Sequence, residues 1–160
     1  LTTSPALGFQ HLHLELTVVS YIDVAGGHFR IVMRLEAFGL GHLPGRMEIL
    51  RKTYRMENGS LVPVWHESER ELSPHEAARL ALSLRALKNP RVQCRPTGAT
   101  AWDGVTLAVS LDGSTWILRL NPTDGIEGGD AAAVRDLFRD LGRVAGLTVQ
   151  DGYPDDFAKP

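Results

Sequence analysis

Residues 102–120 constrain the fold most, because two alternating runs there flank Asp112-Gly113. Asp-Gly accepts positive φ at both central positions of a type I′ turn, a connection whose twist suits an antiparallel pair. With those two residues as the loop, Val109 faces Trp116, Leu107 faces Leu118 and Val105 faces Leu120. Side chains alternate with period two, so all six share one face, and a slip of one residue would scatter them. The other face sets Ser110 against Thr115, Ala108 against Ile117 and Thr106 against Arg119, which is mostly polar. A core-forming hairpin is therefore expected here.

The same alternation places Leu12, Leu14, Leu16 and Val18 opposite His11, His13, Glu15 and Thr17. Gly26-Gly27 predicts a two-residue turn that pairs Val24 with Phe29, Ile22 with Ile31 and Val18 with Leu35. A break over 39–45, rich in Gly, leads to a third strand over 46–56, which turns at Asn58-Gly59 into a fourth over 61–66. Leu50, Tyr54, Met56, Leu61 and Trp65 share a face, and Pro63 places its strand at an edge.

Ser73-Pro74-His75-Glu76 is a helix start, with Ser73 as cap, Pro74 at the first helical position and Glu76 closing a capping box. The helix is expected to end near Lys88, before Asn89-Pro90. Its stripe is Ala77, Leu80, Ala81, Leu84 and Leu87, widened by Ala78 and Leu82. A short strand over 91–95 precedes the Asp-Gly hairpin, and residues 121–129 read as a loop. A second helix over 131–145 carries Val134, Leu137, Phe138, Leu141 and Val144 inward, capped by Asp130 and closed by Gly146. The fold class is α+β: an antiparallel, meander-rich sheet of about six or seven strands with two helices packed on one face. Residues 1–160 read as a single domain, with a loose leader over 1–10 and an acidic tail over 148–160. The pattern does not give the strand order.

The 160 residues, 43% hydrophobic and 22% charged, suit a folded core and exclude disorder. No apolar run reaches membrane-spanning length. A net charge of −2 without a basic patch argues against nucleic acid as a partner. Basic residues are mostly Arg, and Ala, Leu and Gly abound, a bias of GC-rich bacterial genomes. Cytoplasm and cell envelope both stay open. Cys94 is the only cysteine, so no internal disulfide forms.

Three readings of function follow. His11, His13 and Glu15 stand two apart on one strand face, with nitrogen and oxygen donors that suit a first-row metal and a metal-dependent enzyme. A solvated polar strand face explains the same residues without a cofactor. The strand cadence over 29–63 resembles that of curved-sheet lipoprotein carriers, which implies an apolar ligand held between sheet and helix. The third reading is a non-catalytic protein-binding module of the immunity, inhibitor or accessory-subunit type. It rests on the lack of a catalytic motif, the Pro63 edge, and a tail whose Asp151, Tyr153, Asp155, Asp156 and Phe157 would meet a basic partner. The third reading is the expectation carried forward.

Overall fold

The computed structural model describes residues 9–21, 28–39, 45–87, 90, 93–94, 104–120, 126–148 and 153. The strands are β1 (His11–Tyr21), β2 (His28–Phe38), β3 (Gly45–Glu57), β4 (Ser60–Leu72), β5 (Gln93–Cys94), β6 (Gly104–Leu111), β7 (Ser114–Leu120) and β8 (Ile126–Glu127). The helices are α1 (Pro74–Ala86), between β4 and β5, and α2 (Ala131–Ala145), after β8. Six strands form one antiparallel sheet in the order β4-β3-β2-β1-β6-β7, and β5 pairs with β8 apart from it. The α+β class, the strand number and the two helices on one face agree with the sequence pattern.

The two hairpins with the strongest turn signals form in the expected register. Asp112 and Gly113 have φ of 50° and 85°, and Val109 meets Trp116, Leu107 meets Leu118 and Val105 meets Leu120. Asn58 and Gly59 repeat the geometry at 50° and 78° between β3 and β4. The pairing of β1 with β2 differs from expectation. Val18 faces Ile31 instead of Leu35, and the ladder ends at Tyr21 and His28. Gly26-Gly27 lies outside the described residues. The shift is even, so it leaves every side chain on its expected face; alternation alone cannot detect it.

One sheet face is buried along Leu12, Leu14, Leu16 and Val18 of β1, Ile31, Met33 and Leu35 of β2, and Leu107 and Val109 of β6. Ala77, Leu80, Ala81 and Leu84 of α1 and Val134, Leu137, Phe138 and Leu141 of α2 complete the same core. Leu82, expected to widen the α1 stripe, is 70% exposed, because two residues along a helix turn a side chain well away from its neighbour at Leu80. The α1 capping box forms as read. Ser73 Oγ accepts from the Glu76 N–H at 3.1 Å, and Glu76 Oε1 accepts from the Ser73 N–H at 3.2 Å. Asp130 precedes α2 without capping it through its side chain. Gly146, at φ 69°, closes α2, and Leu147 N–H donates to the Gly142 carbonyl at 2.8 Å.

Tyr153, expected among the contact residues of the tail, is buried instead. Its side chain is 2% exposed, and its ring lies so close to Gly142 that an added Cβ would come within 2.8 Å. The hydroxyl donates to the Phe138 carbonyl, and burial pushes the phenol's pKa up. The ring fills a place in the core that a glycine on α2 leaves open. Asp151, Asp155, Asp156 and Phe157 lie outside the described residues.

Candidate functional site

Among the described residues, no helix covers the sheet's second face. Cross-strand neighbours there form rows, one of which runs Glu71, Arg46, Glu36, His13, Ser110 from β4 to β6. The next runs Glu69, Glu48, Arg34, Glu15, Ala108. Most charges in these rows find partners. Arg46 bonds Glu69 and approaches Glu48 at 3.5 Å, and Glu69 raises the guanidinium's already high pKa. Arg34 Nε lies 3.4 Å from Glu15, and His11 Nε2 lies 3.2 Å from Glu36 while its ring stacks on Phe38 at 4.8 Å.

His11, His13 and Glu15 do share this face, as strand spacing requires. The structure gives two of them other partners, His11 with Glu36 and Glu15 with Arg34. Among the described residues, no group of three or more His, Cys, Asp or Glu side chains converges to hold a metal ion.

Toward the other end the face becomes apolar. The β2–β3 ladder stops at Arg30 and Lys52, whereas β3 and β4 pair as far as Glu57 and Ser60. Residues 53–64 therefore form a two-stranded arm whose tip at Glu57 lies about 10 Å past the level of His28, where the described part of β2 begins. Tyr54, Met56, Leu61 and Pro63 lie on one face of the arm, with Leu50, Lys52 and Trp65 at its base. Met56 is 65% exposed and Trp65 is 53% exposed. The Lys52 ammonium lies 5.4 Å from the Tyr54 ring centre and 5.7 Å from that of Trp65, within cation–π range of both. The shared face of Leu50, Tyr54, Met56, Leu61 and Trp65 agrees with the sequence pattern; it is the open face, not the helix-covered one.

Strand β4 runs on to Leu72, beyond the His66 end expected from sequence. In a two-residue hairpin the flanking pair exchanges both backbone hydrogen bonds. Glu57 and Ser60 are that pair, so even-numbered residues of β4 bond to β3 and odd-numbered ones aim their N–H and C=O groups outward. β4 is the sheet's edge, and Pro63 sits where its missing N–H costs no ladder bond. Trp65, Glu67, Glu69 and Glu71 thus present both side chains and edge backbone groups. Two hollows lie along them. One of about 590 Å³ is lined by Trp65, Leu50, Val32, Glu67 and Glu69, among others. The second, of about 760 Å³, is lined by Glu69, Glu71, Phe38 and Arg46, among others, and Glu69 borders both.

The alternating Glu67, Glu69 and Glu71 were legible as a strand face, but a charged run reads equally well as solvated surface. On the helix side a smaller hollow of about 180 Å³ lies between α1 and α2, lined by Leu80 and Val144 with Arg70, Arg79, Asp140 and Arg143 around them. No helix among the described residues is long and apolar enough to cross a membrane. No protein-family model, no curated protein and no solved structure matches this chain.

Proposed function

We propose that this chain is a protein-binding module whose contact surface is the β3–β4 arm and the open sheet face at its base. The exposure of Met56 and Trp65, on one face of an arm that leaves the sheet, carries this reading. Large exposed apolar side chains gathered on one surface favour a contact that removes them from water, and aromatic and Met side chains are enriched in such contacts. An exposed hairpin with apolar residues on one face also presents a rigid contact at little cost in ordering entropy.

The test is the native mass of the chain isolated from its own host, compared with that of a Met56→Ser/Trp65→Ala variant. The expected result is a discrete added mass of protein on the 17.5 kDa chain, lost in the variant. A bare chain, or a complex indifferent to both substitutions, would falsify the reading.

A further inference from the structure

We infer that the edge of β4, which no strand covers among the described residues, takes up a basic, extended polypeptide segment that adds to the sheet as a further strand. This rests on the protein-binding reading and names the chemistry of the partner. The outward N–H and C=O groups of Trp65, Glu67, Glu69 and Glu71 supply the ladder that strand addition needs, and alternate side chains set the choice of partner. Arg46 occupies Glu69, while Glu67 and Glu71 make no ion pair among the described residues. Arg70 does not neutralise them, because it lies on the other face and bonds Glu76 at 2.6 Å.

An incoming strand repeats its side chains every second residue, the spacing of these carboxylates. Lys or Arg at alternate positions therefore reaches Glu67 and Glu71 together, with the hollow beside Trp65 open to an apolar neighbour. Arg30 and Arg34 line that hollow from β2, two strands away, and Arg34 is paired with Glu15. Their opposition to a basic strand is weakened by distance and screening.

A second copy of this chain fits the edge poorly. Antiparallel pairing of two β4 edges around Ser68 sets Glu67 against Glu69 of the other copy, and like charges directly opposite destabilise a pair. Pro63 shortens the ladder further. A basic segment meets neither obstacle.

The experiment titrates the full chain with two fluorescent peptides, one alternating lysine with threonine and one alternating glutamate with threonine, read by anisotropy. Amide hydrogen exchange is then followed by NMR. The lysine peptide is expected to bind, more weakly as salt is raised, and to slow exchange at Trp65, Glu67, Glu69 and Glu71. Even-numbered β4 amides, already bonded to β3, should change little. Glu67→Gln/Glu71→Gln should weaken binding about tenfold while keeping the fold, since both side chains are exposed.

Equal binding of the two peptides, indifference to the double variant, or protection away from β4 overturns the inference. Failure of both peptides to slow edge exchange also overturns it. If the glutamate peptide protects the same amides, the edge is a binding site but the basic chemistry is wrong. The protein-binding reading stands or falls separately, on the native mass and its response to Met56 and Trp65.

Discussion

Asp112 joins three parts of the molecule through one carboxylate. Its backbone adopts the positive φ of the β6–β7 turn, while Oδ1 accepts the N–H groups of Gln10 at 2.7 Å and His11 at 2.9 Å. Oδ2 faces Arg85 of α1 at 3.3 Å. Partial burial pushes the carboxyl's pKa up, but the His11 and Gln10 donors and Arg85 outweigh it and hold the group below its ordinary value. The unfolded chain therefore takes up the proton first, so the stabilisation is complete above the ordinary carboxylate range and is lost as pH falls through the folded value. Asn tolerates the turn's φ but lacks the charge. Asp112→Asn is expected to cost about 1 kcal/mol at neutral pH and progressively less as pH falls below the ordinary carboxylate range, measured by urea unfolding. A gap that persists in acid would assign the effect to something other than the carboxylate. The turn at Asp112 was readable from two letters; its grip on β1 and α1 was not, because those partners are distant in sequence. Tyr153 shows the same limit, since only the packed structure reveals the gap over Gly142 that its ring fills.

At the scale of elements, legibility followed the length of the connections. Asn58-Gly59 and Asp112-Gly113 leave one register each, and both form. Between β1 and β2 the connection is longer, alternate registers preserve the same faces, and the pattern could not choose among them. The capping box of α1 was equally local and equally readable. The edge of β4 depends on an absence: no strand covers it among the described residues, although Pro63 hinted at that position. Its acidic alternation then has two effects, since Glu67 and Glu71 repel a like edge and attract a basic one. Replacing both with Val, together with Pro63→Thr, restores a donor and removes the repulsion. That variant is expected to self-associate at lower concentration than the parent, as seen by sedimentation velocity. Unchanged sedimentation would mean that these three residues do not guard the edge.

For the molecule as a whole, the core and the proposed contact surface occupy separable parts of the chain. Among the described residues, buried side chains come from β1, β2, β6, β7 and the two helices, from Phe9, Leu87, Ile126, Leu147 and Tyr153 beside them, and from only the sheet-bound end of the β3–β4 pair at Met47, Ile49 and Leu72. The arm beyond Lys52 contributes none of them. It can therefore be shortened without cutting into the core, provided the turn keeps its geometry. A two-residue type I′ loop must be flanked by a pair that exchanges hydrogen bonds, and Thr53 with Val64 is such a pair because it stands an even number of positions from Glu57 with Ser60. Deleting residues 54–57 and 60–63 rejoins Thr53-Asn58-Gly59-Val64 in that register and leaves Lys52 opposite Trp65. The shortened chain is expected to unfold within about 1 kcal/mol of the parent, the range of changes that leave a core intact. The native complex should be lost, because Met56 and Leu61 go with the arm. A large loss of stability would place the arm in the fold's own support, whereas a stable chain with its complex intact would move the contact surface elsewhere on the sheet.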